Sequence, residues 1–178
     1  AEMIEMAMTQ VSWAWFETRY DGGVVVRVAR TRADAEAARL LIRDAWGVNE
    51  DERYFYGLFE HAEHLYQSVI VPSTKVGSLA EIDSLCVMID ARDDDGQIVS
   101  VGTFSLVLDH AAKTIELGRG AIAKAWQRRG IPLLAVQPMR RLVDSLPDYA
   151  VIVDATTLAR GAKSTADAVG APAVALHP

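Results

Sequence analysis

The chain has 178 residues, 51% of them hydrophobic and 24% charged, with a formal net charge of −6. That length suits one compact domain with a sizeable core, expected over residues 1–178 with residues 1–10 flexible or extraneous to it. The acidic balance argues against nucleic acid, because a phosphate-binding face needs a basic field, and sooner suits a cationic or amine-bearing partner. No apolar stretch approaches the length of a membrane span, and no membrane partner is expected. The opening AEMIEMAM carries Glu2 and Glu5 where a secretory signal carries Lys or Arg. The single Cys86 lies in an apolar run, which fits a buried thiol in a reducing, cytoplasmic setting.

In chain order, VSWAWFETRY and VVVRVAR read as two β-rich runs around Asp21-Gly22-Gly23, a hairpin signal. Thr31 and Asp34 form a capping box ahead of a helix whose apolar face is expected at Leu40, Leu41, Ala45 and Trp46. Gly47 can end it. A second helical stretch is expected from Glu52 to Ser68, including Tyr56, Phe59 and Leu65. SLCVMIDA and QIVSVGTFSLVL are strands joined through an Asp95-Gly96 turn, and TIELGRGAIA pairs with them as a third. A basic glycine turn then leads to a helix from Pro132 to Ser145. AVIVDAT reads as a strand, AKSTADAV as a short helix and PAVAL as a last strand. The sum is a mixed α/β sheet, antiparallel early and with a crossover late.

Four groups of residues bear on chemistry. His61 and His64 lie one helical turn apart but lack a third ligand and the His-Glu-x-x-His spacing, so a polar helix face is the better reading. DARDDDG has Ala91 where a calcium loop needs an oxygen ligand, and reads as a turn. GRGAIA satisfies the dinucleotide pattern G-x-G-x-x-A, but its continuation is β-like, and Arg140 and Arg141 stand where an acid is required. The fourth group is Gln127-Arg128-Arg129-Gly130 between a strand and a helix. Backbone N–H groups converge at a helix N-terminus, and Gly130 admits an anion without a Cβ in the way. A solvated basic turn has the same composition, so these residues alone leave both readings open.

ELGRGAIAKAWQRRGIP, Glu116 to Pro132, resembles the central motif of the GNAT superfamily of acyl-CoA N-acyltransferases. That motif is a strand, then Gln or Arg-x-x-Gly-x-Gly or Ala, then a helix. Here it begins at Gln127, and the order of elements on both sides agrees from Val24 onward. The resemblance implies a central mixed sheet with flanking helices, an N-terminal β-hairpin, and acetyl-CoA or another acyl-CoA as donor. It implies that Gln127, Arg128, Arg129, Gly130 and Ile131 hold the CoA pyrophosphate through backbone amides. By the same resemblance Gly120, Ala121, Ile122 and Ala123 pair with the pantetheine arm, and Glu116 stands where several members place a general base. An ion-paired strand carboxylate, with Arg119 as partner, is the plainer role for Glu116. The acceptor is expected to be an amine of a small molecule or peptide, reached by direct attack with no metal.

Three departures from the family pattern stand out. Pro132 occupies the motif's last small position and has no N–H to give a phosphate, although proline suits a first helical turn. Ala166 and Ala159 stand where relatives often carry a tyrosine acid and an asparagine, with Ser164 and Thr165 as weak substitutes. After PAVALHP the usual last strand is lacking. The aromatic N-terminal strand with Trp13 and Trp15, or a second copy in a homodimer, is expected to cover that sheet edge. Two rival readings remain at this stage: a GNAT-like module that binds without catalysing, and a synthase of the autoinducer type fed by an acyl-carrier protein.

Overall fold

A computed structural model of the chain describes residues 13–46, 62–75, 78–154 and 173–174. Seven strands form one sheet in sequence order: β1 (Thr18–Tyr20), β2 (Val24–Val28), β3 (Ser84–Arg92), β4 (Ile98–Asp109), β5 (Thr114–Ile122), β6 (Ala150–Asp154) and β7 (Ala173–Val174). The first five pair antiparallel, while β5 with β6 and β6 with β7 run parallel. The early antiparallel strands and the late crossover are therefore as the sequence indicates. β1 lies at the opposite edge from β7, so the hairpin closes the far side of the sheet and does not cover the C-terminal edge.

The aromatic N-terminal stretch also differs from expectation. Trp13 to Phe16 make a turn, with the N–H groups of Phe16 and Glu17 both donating to the Trp13 carbonyl. The two tryptophans meet at 5.8 Å, Phe16 packs edge-on to each, and the Trp13 indole donates to the Ser73 carbonyl at 3.0 Å. Burial of large rings and a partner for the indole N–H override the β propensity of the segment.

Helix α1 (Arg32–Trp46) begins at the predicted capping box: the Asp34 N–H donates to Thr31 Oγ1 at 3.1 Å, and Asp34 Oδ2 accepts from the Thr31 N–H at 3.3 Å. Its buried stripe is Ala35, Ala38, Leu41 and Ile42; Leu40 and Ala45 are exposed, which corrects the predicted face. The alanines let α1 lie close over β4 and β5. The described end of the second helical stretch comprises α2 (Ala62–Leu65), a π turn (Tyr66–Ile70) and α3 (Val71–Lys75). In the π turn the Val71 N–H bonds the Tyr66 carbonyl, which widens the helix ahead of Pro72. Helix α4 (Val136–Ser145) follows a 3-10 segment (Ile131–Ala135), so the helix expected from Pro132 opens on a tighter turn.

Strand β3 is buried on both faces, and its side chains divide the interior. Leu85, Val87 and Ile89 join Phe104, Leu106, Ile115 and Leu117 beneath Met139 and Leu142 of α4. Cys86 and Met88 point the other way, against Ala35, Ala38, Ile42, Val69 and Ile70. Burial pushes the Cys86 thiol up to about 12, so it is a packing group and not a nucleophile.

A buried ion network fastens α1 to the sheet. Arg27 on β2 donates to both oxygens of Asp34, at 2.8 and 2.7 Å, and to Asp90 on β3 at 2.7 Å. Ser100 completes Asp90, and the Arg30 N–H donates to Asp34 at 2.8 Å. Burial pushes the Asp34 carboxyl up, but Arg27 and the Arg30 and Thr31 N–H groups outweigh it and hold the group below its ordinary value. A depressed carboxylate stabilises the fold above its unfolded value, near pH 4, and that stabilisation is lost as pH falls through the lower folded value. The urea midpoint is therefore expected to hold from pH 7 to about 4 and to drop below it. An Asp34→Asn protein is expected to start lower and to lose less over that acidic range.

Candidate functional site

The region singled out by the sequence is built around the C-terminal half of β5. Glu116 pairs with Val107 on β4 and Ile152 on β6. It is half-buried, and by strand alternation with Ile115 and Leu117 it emerges on the face covered by α1. Among the described residues no ion pair joins it to Arg119, and its bonding lies elsewhere.

The parallel ladder of β5 with β6 runs from Thr114–Ala150 to Leu117–Val153, whereas β5 itself continues to Ile122. Gly120, Ala121 and Ile122 thus extend past that ladder, held on their other side by β4, and the Ala123 N–H bonds the Val101 carbonyl at 2.8 Å. The chain stays in strand β5 through GRGAI, with no helix opening there, so the dinucleotide pattern is a coincidence of letters. Gly102 of β4 pairs with Ile122 across the ladder. An added Cβ would stand 2.8 Å from Ile122 Cδ1 and 3.2 Å from Ile89 Cδ1, so those side-chain ends would have to shift.

Between Leu117 and Ala121 the strand changes phase. Leu117 faces α4 and Ala121 faces α1, because Arg119 and Gly120 together oppose the single Phe104. This is a β-bulge, and Arg119 occupies it at φ 50, a left-handed conformation ordinarily taken by glycine. Sequence reasoning missed it. The signal was slight: Arg119 falls where the alternation of Ile115 and Leu117 calls for an apolar residue.

The turn after β5 is compact. Lys124–Trp126 form a 3-10 turn, and the Gln127 side chain reaches back to donate to the Ile122 carbonyl at 3.1 Å. Arg128 at φ 64 and Gly130 at φ 73 are both left-handed, and Gly130 caps the helical run that begins at Ile131. Such alternation of hand turns successive N–H groups to one side. Among the described residues the Gly130 and Ile131 N–H groups donate to no acceptor. A Cβ on Gly130 would meet no atom within 4 Å, so packing does not require glycine there; conformation and open space do. The Arg129 guanidinium lies 4.8 Å over the Trp126 ring, while Arg128 is exposed. Ile131 is buried and anchors the loop to the α4 core.

At the other end of β5, His110 ties the turn after β4 to the residues ahead of β3 and β6. Its Nε2 lies 2.6 Å from the Ile82 carbonyl and its Nδ1 2.6 Å from the Tyr149 hydroxyl. A carbonyl only accepts, so Nε2 donates to Ile82.

Of the remaining sequence candidates, His64 is exposed, and His61 lies outside the described residues. Ala159, Ser164, Thr165, Ala166 and Gly170 lie outside them too.

No protein-family model matches the chain, and no curated protein does. Solved structures do. The ribosomal-protein-S5-alanine acetyltransferase of Vibrio fischeri superposes with a TM-score of 0.56 at 13% identity, covering 86% of this chain and 81% of that one. The microcin C7 self-immunity acetyltransferase MccE, solved with acetyl-CoA and AMP, gives 0.54 at 14% identity over 82% and 77%. An acetyltransferase of the GNAT family from Bacillus anthracis gives 0.53 at 12% over 83% and 78%. The fold is the GNAT fold, a mixed sheet of the kind that serves acyl transfer in those proteins.

Proposed function

We propose that the chain is an acyl-CoA-dependent N-acyltransferase that moves an acyl group, acetyl in the simplest case, to an amine of a small molecule or peptide. The observation that carries this reading is that, among the described residues, the Gly130 and Ile131 N–H groups at the start of a helical run meet no acceptor, while a Cβ on Gly130 would meet no atom within 4 Å. An anion is favoured there by the N–H groups and by the helix dipole. The CoA pyrophosphate supplies such an anion, and the resemblance of Gln127–Ile131 to the GNAT motif supports that match. Gln127, Arg128, Arg129, Gly130 and Ile131 hold it in this account, and Gly120, Ala121, Ile122 and Ala123 offer strand edge to the pantetheine arm. The donor's contribution is an activated acyl thioester.

The residues of the chain then orient and deprotonate. Glu116, half-buried on the α1 face, accepts a proton from the ammonium of the acceptor, directly or through a water. The freed amine forms the new C–N bond as the C–S bond breaks; the sulfur leaves with the electron pair as a thiolate and takes up, through water, the proton that the nitrogen sheds. Holding the reactants together accounts for most of the acceleration, about 7–11 kcal/mol at best for well-aligned reactants.

Calorimetry with acetyl-CoA, a longer acyl-CoA and free CoA tests this reading, followed by thiol release across a panel of amines. Saturable binding with amine-dependent thiol release is the expected result; no binding to any of the three overturns it. Binding without release supports the inert module, which Pro132 favours by withholding one N–H from the cradle. Reaction of a carrier-bound thioester alone supports the synthase. Pro132→Ala restores a donor and is expected to tighten free CoA about tenfold, the weight of one modest charge-assisted hydrogen bond.

A further inference from the structure

We infer that Arg119 receives a carboxylate carried by one of the two reactants, either at the far end of the acyl group or on the amine acceptor. The inference rests on the acyltransferase reading and names the class of substrate it serves.

Three observations support it. Arg119 stands at the bulge of β5, at φ 50, in the position where a bulge of this kind ordinarily has glycine. A long cationic side chain there is held against backbone preference, and such outliers gather at functional sites. Second, Arg119 is half-buried yet forms no hydrogen bond or ion pair among the described residues. The other arginines without such bonds that the structure describes, including Arg30, Arg43, Arg128 and Arg140, are exposed to water. Among the described residues its fork of donors meets no acceptor, and a ligand carboxylate matches that fork.

Third, its position selects the ligand. Arg119 directly precedes Gly120–Ala123, the stretch that takes the pantetheine arm in this account. What lies beside the bulge is the end of the pantetheine edge, where thioester and acceptor meet. Glu116 is the nearest carboxylate on the strand, and it emerges on the α1 face with bonding of its own.

The test compares matched pairs on the full chain. Succinyl-CoA is set against acetyl-CoA with one amine, and a panel of α-amino acids against the corresponding amides with acetyl-CoA. The carboxylate-bearing member of one pair is expected to win by about tenfold or more in kcat/KM, as one charge-assisted pair supports. The first pair assigns the carboxylate to the acyl group and the second assigns it to the acceptor. Arg119→Gly, which suits φ 50, is expected to melt no lower than the parent and to collapse the preference; Arg119→Lys is expected to keep part of it. If acetyl-CoA binds and reacts but neither pair shows a preference, or the preference survives Arg119→Gly, the inference is wrong while the acyltransferase reading stands. If no acyl-CoA binds, both fall together.

Discussion

Replacing Arg27 by methionine is expected to cost about 3–5 kcal/mol of folding stability, the scale for breaking a buried pair by removing one partner. Its guanidinium is one-eighth exposed, with side-chain exposure of 12%, and it stands between Asp34 and Asp90, exposed at 10% and 12%. Methionine fills similar space but leaves two carboxylates facing each other without a cation. Each would have to take a proton or draw in water, and the α1 N-terminus would lose its tie to β2 and β3. Asp34 would keep its bonds from the Arg30 and Thr31 N–H groups, so the cap weakens without disappearing. Urea unfolding of the two proteins at pH 7 gives the difference. A loss under 1 kcal/mol would mean that water already screens the network.

Glu116→Gln is expected to lower kcat by about 10²–10⁴ while leaving the dissociation constant of acetyl-CoA within a factor of two. Glutamine has the shape of the carboxylate and fits the strand, so the register with Val107 and Ile152 should survive. What it loses is the capacity to take a proton. The acidic limb of the pH–rate profile should disappear in the variant, and a raised pH should recover part of the rate as the acceptor loses its proton to water. Steady-state kinetics across pH checks both. A kcat within threefold of the parent would move the base elsewhere or make it dispensable.

The parts of the fold legible in the sequence are those set by local chemistry. The turns at Asp21-Gly22-Gly23 and Asp95-Gly96, the Thr31 cap and the apolar run of β3 need nothing beyond their own residues to specify them. The turn at Gln127–Gly130 was legible as the link between a strand and a helix, but its composition left open what it does. What escaped was decided by tertiary packing. Trp13 to Phe16 turn because Ser73 offers the indole an acceptor sixty residues away. The face of α1 is set by Ala35 and Ala38 together with Leu41 and Ile42, and Leu40 is left outside it. The bulge at Arg119 shows in the sequence only as one missed alternation, easily taken for noise in a short strand.

The central claim is that an acyl-CoA lies along Gly120–Ala123 with its pyrophosphate on Gln127–Ile131. Backbone amide NMR of the full chain, titrated with acetyl-CoA, tests it most directly. Saturable shifts are expected at Gly130 and Ile131, whose N–H groups gain acceptors, and along Gly120–Ala123, with little change around His110 at the opposite end of β5. Acetyl-CoA that binds while those amides stay fixed, or that shifts only the His110 end, would contradict the account.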